Sequence, residues 1–199
     1  MTRIISELAV SLDGYIAGPD DSREQPLGTG GNRLFEWYLN GDTPSRFYPS
    51  FRLSQPSAEV VDELASRTGA VITGRHTYDV VDAWNGTGPI PGVPLFVLTH
   101  TIPQDIPDSD PPYTYVTGGI ADAIDQARAA AGDKDVSIMG SAGVQQALQK
   151  GLLDEIIEHL VPVLLGGGVR LLDDVAADLR CTRVVAAPGV THLAYDVVK

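Results

Sequence analysis

The sequence predicts an α/β fold in three layers: a mainly parallel central sheet, helices on both faces, and an antiparallel C-terminal hairpin. Two observations predict it. Short apolar runs alternate with amphipathic stretches through the first three quarters of the 199 residues, the pattern of strand–helix–strand units. The chain then closes with two apolar runs separated by Pro188-Gly189, which marks a hairpin. Two Gly/Pro-rich stretches, 18–31 and 86–94, do not divide the chain into segments that could each hold a core. Residues 1–199 are therefore expected to form one domain.

In order, Ile4 to Leu12 reads as the first strand, stopped by the turn dipeptide Asp13-Gly14. Ser57 can cap a helix whose Val60, Val61, Leu64 and Ala65 share a face, with Glu59 in its first turn. Ala70 to Thr73 is a short buried strand ending at Gly74, and Leu95 to Leu98 and Tyr113 to Val116 are further strands. Ile120, Ala123, Ile124, Ala127 and Ala131 form a helical stripe closed by Gly132. Val136 to Met139 is a strand running into Gly140, followed by a helix with Val144, Ala147 and Leu148 inward. Glu155 to Val163, Arg183 to Ala187 and Thr191 to Val198 complete the strands.

The formal charge of −12 repels phosphate backbones and anionic headgroups, so neither nucleic acid nor membrane is expected as a general partner. A small anionic ligand remains open, because a local Arg or helix N-terminus overrides the global field at short range. The one cysteine, Cys181, has no disulfide partner and is expected to pack in the interior of a protein from a reducing compartment. Glu7 and Asp13 break the first apolar stretch, and no basic run precedes it. That argues against a secretory signal and for a cytoplasmic location. No His/Cys/carboxylate cluster has metal-ligand spacing, so no metal is expected.

Ligands of parallel sheets bind beyond the carboxyl ends of the strands. Two such ends run into glycine-led helix starts, Val71-Ile72-Thr73-Gly74-Arg75-His76-Thr77 and Ile138-Met139-Gly140-Ser141-Ala142-Gly143. A glycine there lets backbone approach a ligand, and free N–H groups of the following helix favour a phosphate. The alternative is that each glycine only closes a tight turn. There is no GxGxxG fingerprint. Trp37, Tyr38, Phe47, Tyr48 and Phe51 form an aromatic cluster suited to stacking on a planar heterocycle, to core packing or to a dimer contact. His159 alternates with Ile157 and Val161 and reads as a packed histidine, while His192 suggests no role.

Gly74-Arg75-His76-Thr77-Tyr78 resembles the Gly-Arg-x-Thr-aromatic segment of dihydrofolate reductases. Val97-Leu98-Thr99-His100, the helix with Ala123-Ile124, and Ile138 to Gly143 follow in the same order. Gly151-Leu152-Leu153-Asp154-Glu155 through Pro162 to Gly168 is similar to the C-terminal reductase domain of bifunctional riboflavin-biosynthesis proteins (the RibD type). Ser11-Leu12-Asp13-Gly14-Tyr15-Ile16-Ala17-Gly18 is similar to its stand-alone relatives. The resemblance spans nearly the whole chain and implies a dihydrofolate-reductase-like fold.

It also implies roles. Gly74, Arg75, His76 and Thr77 would meet the phosphates of NADPH, with Thr99 and His100 at its ribose phosphate. Gly140, Ser141, Ala142 and Gly143 would hold the pyrophosphate, although the family usually has Gly-Gly where Ser141 stands. Asp13 and Tyr15 would line the substrate pocket, and Asp13 would either protonate the substrate or cap its own turn. Glu59 has about the spacing of the folate enzymes' carboxylate or is simply a solvated first-turn acid, and Arg170 would either meet a substrate phosphate or stay exposed on the surface. The Trp- and Pro-containing loop of folate reductases is absent, replaced by Leu27-Gly28-Thr29-Gly30-Gly31-Asn32, which weakens folate as substrate. The resemblance thus implies an NADPH-dependent reductase and a homodimer. The expected substrate is a small planar heterocycle, most like 5-amino-6-(5-phosphoribosylamino)uracil. The alternatives are dihydrofolate reduction and a catalytically silent NADPH-binding sensor or scaffold.

Overall fold

A computed structural model describes residues 2–199. The elements in order are β1 (Ile4–Ser11), β2 (Tyr15–Ala17), a 3-10 segment (Gly31–Leu39), β3 (Thr43–Pro44), β4 (Arg52–Leu53) and α1 (Gln55–Arg67). Then come β5 (Thr68–Gly74), α2 (Arg75–Val80), a second 3-10 segment (Asp82–Gly86), β6 (Leu95–Leu98), β7 (Thr114–Val116) and α3 (Ile120–Ala131). The chain closes with β8 (Asp135–Met139), α4 (Ser141–Gln149), β9 (Glu155–Val161), β10 (Val169–Arg170), β11 (Leu179–Ala187) and β12 (Val190–Val197).

Eight strands form the central sheet in the order β11-β12-β9-β1-β8-β5-β6-β7. From β9 to β7 every neighbour is parallel, while β12 runs antiparallel to β9 and β11 to β12. This is the expected α/β sheet with its C-terminal hairpin, a dihydrofolate-reductase-like arrangement. Strand alternation divides the core between two faces. Ile4 and Val10 of β1 pack with Ile124 of α3 and Val144 of α4. Ile5 instead packs with Val60 and Leu64 of α1, and Ala9 with Leu34 and Trp37 of the first 3-10 segment.

Several boundaries differ from expectation. The first helix begins at Gln55 with Ser54 at its N-cap and Pro56 in its first turn, so Ser57 lies inside it. Its hydroxyl sits against Ser54 and His192 and caps nothing. β9 stops at Val161 because Pro162 has no N–H to extend the ladder. β11 starts at Leu179, four residues before the apolar run, because an exposed edge strand needs no buried face to form. Cys181 lies on that strand and is exposed, correcting the expectation of an interior cysteine. The aromatic cluster packs, with Trp37 buried and Tyr38, Tyr48 and Phe51 against it.

Candidate functional site

β5 and β8 are parallel neighbours with Thr73 opposite Met139, so Gly74 and Gly140 leave the sheet side by side. Both turns open onto one cavity of about 800 Å³. The glycines contribute differently. A Cβ on Gly74 would meet nothing within 4 Å, so its backbone fronts open space. Gly140 has φ +94°, a conformation that side chains rarely adopt, and a Cβ there would stand 2.9 Å from Thr77 Oγ1. Gly143 lets α4 lie on β8, since its Cβ would come within 2.9 Å of Ile138 Cγ2.

The first-turn N–H groups of α4, nine residues long, have no intrahelical acceptors and point a partial positive charge out of the helix end. The six-residue α2 has too few aligned peptides to do the same, so at Gly74 any anion would depend on side chains. Arg75 Nε donates to both oxygens of Asp79 (2.8 and 2.9 Å) and Nη1 donates to the Thr101 carbonyl, leaving Nη2 unengaged among the described residues. His76 is exposed and pairs with Asp21 at 2.6 Å, tying the 18–31 loop to α2. The Thr99 hydroxyl is closed into a turn, donating to the Thr101 carbonyl and accepting its N–H, whereas neighbouring His100 is exposed on the cavity wall. Ser141 lines the cavity, and its hydroxyl makes no hydrogen bond among the described residues.

The substrate-side expectations fare differently. Asp13 accepts hydrogen bonds from the Ser11 hydroxyl and from the backbone N–H groups of Leu165 and Gly166. Those bonds, Ser11 foremost, hold its carboxyl down at about 2. A carboxylate so held has no proton to give near neutral pH, and Asp13 serves to clamp the 165–166 loop onto the end of β1. Glu59 is exposed on α1, accepts a hydrogen bond from Gln55, and does not line the cavity. Arg170 lies over the Tyr15 ring at 4.6 Å and donates to its hydroxyl, so each occupies the other outside the cavity.

The rest of the cavity lining was not foreseen. Leu8, Ile16, Leu27, Phe35 and Trp84 make part of it apolar, and Gly119 lines it where β7 leads into α3. Gly119, at φ +89°, could have been found, since Val116-Thr117-Gly118-Gly119-Ile120 repeats the strand–glycine–helix signature of the other two turns. Leu27 and Phe35 carry no local signal: one lies in a loop and the other in the first 3-10 segment, and only the tertiary fold turns both to the cavity. Among the described residues no group of His, Cys, Asp and Glu could hold a metal, and no helix is long and apolar enough to cross a membrane.

Residues 2–193 match the RibD C-terminal domain family. No curated protein matches the chain. A Shewanella sp. PV-4 protein, provisionally described as a riboflavin biosynthesis protein, is 25% identical over the whole of both chains with a TM-score of 0.71. A pyrimidine reductase-like protein of Corynebacterium diphtheriae is 13% identical, with 100% of this chain and 92% of that one covered and a TM-score of 0.64. Acinetobacter baumannii RibD is 16% identical with a TM-score of 0.61, and the chain, fully covered, spans 58% of it.

Proposed function

The chain belongs to the RibD C-terminal domain family, and from that premise we propose that it is a single-domain NADPH-dependent reductase of a planar heterocyclic substrate. The nearest reaction is that of 5-amino-6-(5-phosphoribosylamino)uracil reductase, named for a Thermotoga maritima protein of the same fold. One observation carries the reading: two glycine turns and a free helix N-terminus face a single cavity large enough for an extended dinucleotide.

The residues fit that coenzyme. The open backbone at Gly74 and the unpaired N–H groups at Ser141, Ala142 and Gly143 suit its pyrophosphate, with the Ser141 hydroxyl and Thr77 as further donors. Arg75 Nη2 and His100 suit a ribose phosphate, with Thr99 shaping the wall between them. When bound, NADPH supplies the hydride. The chain's own contribution is to fix the ligand against Leu8, Ile16 and Phe35, and to keep water from the reacting centre with that apolar wall.

NADPH is expected to raise Tm more than NADH does in thermal unfolding at equal concentration, because binding to the folded state alone shifts unfolding by RT ln(1 + [L]/Kd). Equal shifts would remove the ribose-phosphate contact from the reading, and no shift with either would remove the coenzyme. A silent binder is the second reading. It is favoured by one observation: Asp21, the sole carboxylate lining the cavity among the described residues, is already paired with His76. Tight NADPH binding without turnover across pterins and aminopyrimidines would select it.

The partner surface we infer is β11. Its outer edge has no neighbouring strand among the described residues, and Leu179 and Val184 are exposed on it. Two copies pairing these edges about a twofold axis would satisfy the open N–H and C=O groups of both. Light scattering is expected to give twice the 21.1 kDa chain mass, with Val184→Asp shifting it to monomer. A monomeric parent protein refutes the pairing.

A further inference from the structure

On the α1 face of the sheet, away from the cavity, polar side chains form an unbroken line. Register makes it: His192 of β12 lies opposite His159 of β9, which lies opposite Ala9 of β1, with Glu7 two residues back on the same face. Ser57 Oγ is 3.0 Å from His192 Nε2, the two Nδ1 atoms are 2.9 Å apart, and His159 Nε2 is 3.2 Å from Glu7 Oε1. At the other end Ser54 Oγ donates to Ser57 Oγ at 3.0 Å from the half-buried N-cap of α1. His159 and His192 are 1% and 2% exposed, and the Glu7 side chain 21%.

The proton count along this line allows two arrangements. A neutral imidazole carries one N–H, and the facing Nδ1 atoms require one donor and one acceptor. If His192 donates, His159 must carry its proton on Nε2 and donate it to a charged Glu7, while His192 Nε2 accepts from Ser57. Add one proton to the Glu7–His159 couple, and His159 Nδ1 must become the donor, whichever atom of the couple holds the newcomer. His192 then carries its proton on Nε2 and donates to Ser57. The charge on one end is thereby written into the tautomer of the other. His192 stays neutral throughout, since burial first, then His159 and Arg183, hold it down to about 3.

Glu7 has a second exposure. Tyr38 and Tyr48 feel its charge, their hydroxyls find no partner among the described residues, and Asp62 acts on Tyr48 from α1. The indole Nε1 of Trp37, whose ring stands edge-on to both imidazoles, is a buried donor without an acceptor among the described residues. Glu63, Arg67, Glu155 and Arg183 line a small crevice on the far side of His192. Tyr38, Tyr48 and Phe51 pack on this face around Trp37, whereas Leu8, next to Glu7 on the strand, turns to the other face and lines the cavity.

We propose that Ser54, Ser57, His192, His159 and Glu7 form a proton relay along the α1 face of the sheet. A proton admitted at Ser54 reaches the Glu7 carboxylate as each group in the line hands on the one it holds, and the tautomer of His192 reports the charge at Glu7.

Nitrogen-15 NMR of the histidine-labelled protein, without coenzyme, tests the relay. Between about pH 8 and about pH 4 His192 is expected to move its proton from Nδ1 to Nε2 without becoming an imidazolium, and Glu7→Gln is expected to abolish the exchange. A fixed tautomer in the parent protein, a charged His192, or an exchange that persists in Glu7→Gln overturns the relay.

Discussion

Replacing Gly140 by alanine is expected to abolish measurable NADPH binding in a protein that still folds. Two effects converge there. The backbone sits at φ +94°, ψ 146°, and placing a side-chain-bearing residue in such a glycine-only region costs about 1–3 kcal/mol. The added Cβ also faces Thr77 Oγ1 at 2.9 Å, so the two turns must part or the peptide must rotate. Either response re-aims the N–H groups at the head of α4, and a change of about 1.4 kcal/mol already weakens binding tenfold. In a chain of this size the strain alone lowers Tm by roughly 2–10 °C, which a thermal scan resolves. Thr77→Ala in the Gly140→Ala background is expected to relieve the contact but not the φ strain, so it restores only part of the affinity. Isothermal calorimetry on the three proteins checks this, and full affinity in Gly140→Ala would exclude this turn from the phosphate site.

Acidification is expected to destabilise the parent protein before its carboxylates alone would require, and His192 is the reason. Its folded value is held near 3, whereas an unfolded histidine takes up a proton below about 6.5. Over that window the unfolded chain binds the proton and the folded one does not. Stability therefore falls as pH drops from about 6.5 towards about 3, and this contribution is flat outside it. Asp13 adds a second decline in the same direction. Its folded value is about 2 against about 3.9 unfolded, so the clamp on the 165–166 loop is lost between those limits. Tm measured from pH 7 to pH 4 is expected to drop by several degrees in the parent. In His192→Asn the drop is at least halved, from a lower starting Tm because the line to His159 is cut. Parallel Tm curves for the two proteins would show that His192 is not held neutral by the fold.

The two variants probe opposite faces of the sheet, and these were unequally legible. The Gly140 turn announces itself as an apolar strand, a glycine and an amphipathic stretch, all within a few consecutive residues. The Glu7–His159–His192–Ser57 line has no such signature, because bonded neighbours in it lie up to 152 residues apart and meet only in the folded chain, largely through strand register. His192, which suggested nothing in sequence, turns out to be buried and doubly bonded. Asp13 shows the converse. Its place after β1 was legible, but its use was set by backbone N–H groups that arrive from Leu165 and Gly166.

The sequence by itself determined what hydrophobic period and turn chemistry encode: the alternating elements, the hairpin at Pro188-Gly189, and the glycine turns at Gly74 and Gly140. Each is a short-range property, complete within a dozen residues. Tertiary structure decided the rest. The strand order set β5 beside β8 and so brought both turns to one cavity. The same order set β1 between β9 and β8, leaving Glu7 beside a histidine from a distant strand. Strand order follows from which apolar faces bury most area together, a sum over the whole chain that no local stretch contains.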